Sequence, residues 1–311
     1  MTDFDVVVIG GGPAGLAAGL YAGRANLKTA ILERGMPGGQ ASTTEIIENY
    51  PGFPQGIMGP ELMMKMAEQA KNFQVEFITT NVEEINPQDF YYQITCTDRT
   101  LTTKAIILAT GAEPLELGVP GENYFRGRGV SYCATCDGAF FRDKKVAVIG
   151  GGDAAVEEAM FLTKLVEKVY LIHRRDQLRA TKVVQERAFK NKKIEFIWNA
   201  TVSEVLGNDK LEALLINLNN DEKRSIAVDG VFIYVGTQPN TKFLDHLVQL
   251  NDKGYIITNE GLQTSASGIF AAGDVRQKSL RQVVTAVADG AIAAVEAEKY
   301  ISDLEDKYNK L

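Results

Sequence analysis

Two cysteines separated by two residues, Cys133 and Cys136, are the side chains best placed to do chemistry in this sequence. At that spacing the pair can close a small disulfide ring, and such motifs often lower the pKa of one thiol. The other chemistry open to the spacing is half of a zinc site. The chain has only one further cysteine, Cys96, and two histidines, His173 and His246, with no second close pair. That inventory does not readily supply four zinc ligands, so no metal is expected and the pair reads as redox active.

Just beyond the pair lies a run of basic residues, His173, Arg174, Arg175 and, further on, Arg179. Its meaning comes from an internal repeat. Val6–Gly15 (VVVIGGGPAG) returns as Val146–Ala155 (VAVIGGGDAA), an offset of 140 residues. Each copy leads through a helix-like stretch, Pro13–Arg24 or Ala154–Leu165, into an apolar run ending at Glu33 or His173. Strand, glycine turn, helix and strand form the opening of a dinucleotide-binding unit. A later strand repeats as well: Ile106–Gly111 precedes Pro114, and Val231–Gly236 precedes Pro239.

The fold class is therefore α/β, with two Rossmann-like dinucleotide-binding domains. The residue ending the second strand discriminates between them. Glu33 can accept hydrogen bonds from both hydroxyls of an adenosine ribose, which asks for a cofactor with a free 2′-hydroxyl. His173, at the same offset, is followed by arginines that attract a 2′-phosphate and can bind it bidentately. The second site should prefer NADPH to NADH.

The segment after Thr241 is too short for a third unit: it holds an extended stretch (Gly254–Thr258), the run Gly268–Asp274 and a final helix from about Arg281 to Tyr300. It is assigned to the first unit. The expected domains are 1–116 with 245–311 for the cofactor with a free 2′-hydroxyl and 117–244 for NADPH, the second inserted into the first and carrying the cysteines.

A formal net charge of −7 disfavours a general nucleic-acid binder. No run approaches the roughly 18 apolar residues that cross a bilayer, and no export leader is read, so a cytoplasmic location is expected.

Taken together, GGGPAG (Gly10–Gly15), GGQ (Gly38–Gln40), ENYPGF (Glu48–Phe53), ATG (Ala109–Gly111), CATCD (Cys133–Asp137), GGGDAA (Gly150–Ala155), HRR (His173–Arg175) and AAGD (Ala271–Asp274) make the chain resemble the low-molecular-weight thioredoxin reductases over essentially its whole length. The resemblance implies electron flow from NADPH through FAD to a Cys133–Cys136 disulfide and on to thioredoxin, in a homodimer. It places FAD against Gly10, Gly12, Pro13, Ala14, Gly15, Glu33, Arg34, Gly39, Gln40, Asn49, Val82, Ala109, Thr110, Gly111, Gly273, Asp274, Arg281, Gln282 and Val283. NADPH would meet Gly152, Asp153, Ala154, Ala155, His173, Arg174, Arg175, Arg179 and Gly236. Cys136 would face the flavin C4a position, Cys133 would attack the partner disulfide, and Asp137 would serve as the acid–base group. Phe140, Phe141 and Arg128 are the residues expected to meet thioredoxin.

Competing expectations are the flavoprotein of an alkyl hydroperoxide reductase system, which usually carries an extra N-terminal region, and a flavin reductase serving ferredoxin, which often lacks the arginines or the cysteine pair. A flavin-binding redox sensor without turnover is the reading from outside enzymology.

Overall fold

The computed structural model describes residues 2–44, 47, 49–219, 222–244 and 246–308; of Thr135, Cys136, Lys307 and Tyr308 it describes the backbone only. The chain divides into two units, Met1–Glu113 with Gln238–Leu311, and Pro114–Thr237.

The first unit opens with β1 (Phe4–Ile9), α1 (Pro13–Arg24), β2 (Thr29–Glu33), α2 (Gly59–Lys71), β3 (Glu76–Thr79), β4 (Val82–Pro87), β5 (Tyr92–Cys96) and β6 (Thr100–Leu108). The chain leaves it through β7 (Ala112–Pro114). The second unit comprises β8 (Val130–Ser131), α3 (Ala134–Asp137), β9 (Lys145–Ile149), α4 (Asp153–Leu162), β10 (Lys168–Ile172), α5 (Lys182–Phe189), β11 (Ile194–Ile197), β12 (Ala200–Gly207), β13 (Leu211–Leu218), β14 (Lys223–Ala227) and β15 (Gly230–Ile233). The return strand β16 (Thr237–Pro239) pairs with β7, and β17 (Ile269–Ala271) and α6 (Val283–Tyr308) finish the first unit.

The sheet of the first unit runs β3-β2-β1-β6-β5-β4, with β17 also on β6. The start of β6 pairs antiparallel with β5 and its end pairs parallel with β17. Alternate residues of β1 face opposite cores: Val6 and Val8 pack with Leu16 of α1 and Ala293 of α6, while Val7 and Ile9 pack with Ile106 and Leu108. A strand covered on both faces needs continuous apolar sequence, as FDVVVI supplies. In the second unit a parallel sheet, β11-β10-β9-β15-β8, has the same character, and β12-β13-β14 form a separate antiparallel sheet. Val146 and Val148 face α4, and Ala147 and Ile149 face Leu211, Leu214 and Ile216 of β13.

The unit boundaries at 113/114 and 237/238 correct those expected at 116/117 and 244/245. The reason is local. Asn240 donates to the Thr110 carbonyl (3.0 Å), and its own carbonyl accepts the Thr110 hydroxyl (2.8 Å). Leu244 is buried in the core with Phe4 and Val7, so 238–244 belongs to the first unit. The final helix also runs further than expected, to Tyr308.

Candidate functional site

The internal repeat persists at the level of individual hydrogen bonds. Gly10 N donates to Leu32 O (2.8 Å), as Gly150 N does to Ile172 O (3.1 Å); Leu16 N donates to Gly12 O (2.9 Å), as Val156 N does to Gly152 O (3.1 Å). Gly10 (φ +108°) and Gly150 (φ +152°) make the turn, and a Cβ on either would stand 2.4–2.5 Å from a carbonyl oxygen, that of Ala109 or Tyr234. A Cβ on Gly152 would meet nothing and one on Gly12 only the Gly39 Cα at 3.9 Å; the two glycines precede α4 and α1, neither of which has a side-chain N-cap. The first-turn N–H groups of both helices therefore stay available to an anion, where the helix dipole favours negative charge.

In the first unit Glu33 is fixed at the loop. Its Oε2 accepts the Gly11 N–H (2.7 Å) and its Oε1 that of Gly35 (3.2 Å). Pro13, Ala14 and Gly15 lie in the first turn of α1, and a Cβ on Gly15 would come 1.8 Å from Gly10 O. Gly39 and Gln40 begin an exposed 3-10 turn, with the Gly39 Cα 3.9 Å from the place of a Gly12 Cβ. Asn49 and Gln282, remote in sequence, are joined by an amide hydrogen bond of 2.9 Å just ahead of Val283 and α6. The Ala109–Gly111 bend is held by Asn240.

Asp274 follows Gly273 on a 3-10 turn. Its Oδ1 is buried without a hydrogen-bond partner, and burial raises its pKa against the pull of Lys278 and Arg281. Arg281 lies over the Tyr255 ring at 4.2 Å with its Nε also unpartnered. Arg34 is exposed and pairs with Glu113 (2.5 Å). Val82 sends its side chain into the core with Leu32 and Ile78, leaving only its backbone for any ligand.

Asp289 was not visible to sequence reasoning. It is buried, accepts Gly273 N (3.0 Å) and Lys278 Nζ (2.7 Å), and so holds the Asp274 turn from α6.

In the second unit the segment after β10 folds back over the glycines. Arg179 N and Ala180 N both donate to Gly151 O, at 2.6 and 3.1 Å, and Asp153 Oδ1 accepts Thr181 N (2.7 Å). His173 is buried, its ring 2.3 Å from the place of a Gly151 Cβ, and its Nε2 has no partner. Burial, then Arg179, Arg175 and Arg174 in that order, lowers its pKa, so it stays neutral. The three arginines are exposed, and none pairs with a carboxylate among the described residues. Ala154 is exposed in the first turn of α4, Ala155 is buried against Gly150, and Gly236 (φ +137°) ends the loop after β15.

Cys133, in the same unit, is disulfide-bonded. The Cys136 side chain lies outside the described residues. Cys133 N donates to Ser131 Oγ (3.1 Å), and that hydroxyl donates to Asp137 Oδ2 (2.6 Å), so the carboxylate is tied to the Cys133 peptide. Phe140 is 70% exposed, whereas Phe141 is half-buried, packed edge-on against Phe232 over Gly230. Arg128 stacks on exposed Tyr124 (4.8 Å), an aromatic the sequence did not single out. Cys96 is buried and free, and burial raises its thiol pKa.

Two glycine loops with opposite charge preferences, one in the unit that holds a disulfide, define an oxidoreductase that passes electrons between a dinucleotide and a disulfide. The pyridine nucleotide-disulphide oxidoreductase family model matches residues 4–290. The thioredoxin reductase of Listeria monocytogenes is 49% identical over 97% of this chain and 95% of its own, and that of Bacillus subtilis is 47% identical over 99% and 98%. A crystal structure of Lactococcus lactis thioredoxin reductase in its FR conformation is 48% identical, covers 97% of this chain and 100% of its own, and has a TM-score of 0.82. The chain belongs to the pyridine nucleotide-disulphide oxidoreductases and, within them, to the thioredoxin reductases. These comparisons do not favour the peroxide-reductase or sensor alternatives.

FAD and NADPH are the cofactors of this family. The residues fit both. The lightly crowded Gly12 and the unobstructed Gly152, the buried Asp274 Oδ1 and Arg281 Nε without protein partners in one unit, and the buried His173 Nε2 beside three arginines without carboxylate partners among the described residues in the other are polar groups that such cofactors would satisfy.

Proposed function

We propose that this chain reduces the disulfide of thioredoxin with NADPH, holding FAD on the first unit and NADPH on the second. The observation that carries the reading is the disulfide at Cys133 in the unit whose glycine loop is faced by Arg174, Arg175 and Arg179 rather than by a carboxylate. Bound flavin supplies a two-electron relay between a hydride donor and a disulfide. The net reaction is NADPH plus a proton plus a protein disulfide, giving NADP⁺ and two thiols.

The chain's own residues bind and prepare. Glu33 would accept the adenosine ribose hydroxyls of FAD, the α1 N-terminus would take its phosphates, and Asp274 would bond the sugar-alcohol chain beyond the phosphates. Asn49 and Gln282, bonded to one another, would flank the flavin ring, and Arg34, Gly39, Gln40, Val82 through its backbone, and Arg281 would complete the pocket. In the second unit the arginines would take the 2′-phosphate in charge-assisted bonds and so favour NADPH over NADH. Neutral His173 lies beneath the loop without adding repulsion to that cluster.

Once the Cys133–Cys136 disulfide is reduced, the Cys133 thiolate attacks one sulfur of the partner disulfide and expels the other as a thiolate. Cys136 then attacks Cys133, re-forming the internal disulfide and releasing the second partner thiol. Asp137, adjacent to Cys136, takes and returns the proton these thiols exchange. Phe140 and the Arg128–Tyr124 stack offer exposed aromatic and cationic surface for docking. The need for an NADPH supply supports a cytoplasmic setting, and exposed Val284, Ile292 and Val295 along α6 support a homodimer.

The test is NADPH oxidation by the purified yellow protein with thioredoxin and a disulfide dye, beside Cys136→Ser and an NADH control. Turnover that needs thioredoxin, vanishes in the variant and is weak with NADH is expected. Flavin reduction without thioredoxin turnover would move the assignment to another disulfide protein.

A further inference from the structure

Cys133 acts through its sulfur, yet that sulfur is only as fixed as the peptides on either side of it. On the preceding side, the Tyr132 hydroxyl donates to Glu122 Oε1 (2.7 Å). Glu122 is 1% exposed, and its carboxylate also accepts the N–H groups of Leu117 (2.8 Å), Gly118 (2.7 Å) and Val119 (3.4 Å). A buried charge is tolerated only when so compensated, which makes this turn a stiff anchor. Burial, and next the bond to Glu122, pushes the Tyr132 phenol up, so it remains a donor.

On the following side, Ala134 N donates to the Tyr234 hydroxyl (2.6 Å). Tyr234 comes directly after β15, and its own N–H bonds Ile149 O (2.8 Å), so it is anchored to the central sheet. Burial above all raises its phenol pKa and keeps it neutral. Two phenols on separate rigid anchors thus grip the residues on both flanks of Cys133.

We propose that Tyr132 and Tyr234 are positioning residues of the redox disulfide: they keep the Cys133 backbone in place when the disulfide opens and thereby set how readily the dithiol closes again. The proposal rests on the reading of Cys133 and Cys136 as the transferring pair. Closure of an internal disulfide depends on the effective concentration of one thiol near the other, and freeing one flank lowers it. A hydrogen bond of ordinary net strength corresponds to a shift on the order of fivefold.

The test uses Tyr132→Phe and Tyr234→Phe in the full flavin-loaded chain. Each is equilibrated anaerobically with glutathione and its disulfide, without NADPH, and the reduced fraction of Cys133 is read by alkylation and mass spectrometry. The exchange balances as protein disulfide plus two glutathione thiols giving protein dithiol plus glutathione disulfide. Each variant is expected to stay reduced at a thiol-to-disulfide ratio about fivefold more oxidising than wild type, with flavin reduction by NADPH unchanged. Equilibria within about twofold of wild type, with only the melting temperature lowered, overturn the proposal, as does a shift confined to one variant. Should one variant not fold, the other decides. Wild-type protein without thioredoxin turnover would instead refute the proposed function and leave the glutathione result to stand separately.

Discussion

The two glycine loops have nearly superimposable backbone bonding and opposite electrostatics. In one, the middle glycine Gly11 donates its N–H to the Glu33 carboxylate; in the other, Gly151 packs against neutral His173 and its carbonyl accepts from Arg179 and Ala180. The turn and the helix after it determine where phosphates go. What distinguishes the ligands is one strand end and the few residues beyond it. A second difference lies at the third small residue. Gly15 has no room for a Cβ, because Gly10 O would stand 1.8 Å away, whereas Ala155 already carries one against Gly150.

That last difference gives the sharpest test. Gly15→Val should lower bound flavin by at least roughly tenfold, because helix and strand must part to admit the side chain, while Ala155→Gly should leave the KM for NADPH unchanged; absorbance at the flavin band measures the first and NADPH oxidation the second. Equal behaviour of the two variants would break the comparison.

The charge preference comes next. Replacing Arg174, Arg175 and Arg179 with alanine should raise the KM for NADPH on the order of a hundredfold through lost charge-assisted bonds and leave NADH nearly unaffected. A parallel rise for both nucleotides would show the arginines to be structural. Glu33→Gln keeps the shape but weakens ribose binding, and flavin should dissociate about fivefold more readily, measured by fluorescence of released FAD.

The smallest effect concerns pH. His173 is harder to protonate when folded, so no penalty exists above the ordinary histidine value of 6.5, and stability is lost as pH falls from there toward its folded pKa. His173→Asn should flatten that acid-side decline in melting temperature. An unchanged decline would mean that other groups govern it.

Much of the fold and of both loops is legible in the sequence because it is written in local pattern. Glycine spacing, flanking apolar strands and the residue ending β2 or β10 lie within about thirty residues of each other, the span of one βαβ unit. Asn240, Asp289, Glu122 and Tyr234 were not legible. Each acts by bonding a backbone group or a side chain that its own neighbours in sequence do not mark, and a lone polar residue has no periodicity to announce that role. The same cause misplaced the unit boundary, since Asn240 and Leu244 show their allegiance only through tertiary partners. For Val82 and Phe141 the sequence did not show which way the side chain turns: Val82 enters the core and leaves its backbone to the site, and Phe141 packs partly against the core of the second unit.

Gly290 of α6 lies so close to α1 that a Cβ there would meet Ala14 O at 2.1 Å. Ala14 belongs to α1 and Gly290 to α6, so the two faces of this contact are synthesised some 276 residues apart. On the ribosome, therefore, the second unit, Pro114–Thr237, emerges whole while the first still lacks β17 and α6. The packing around the first glycine loop is therefore completed only when α6 has been made, after the whole of the second unit.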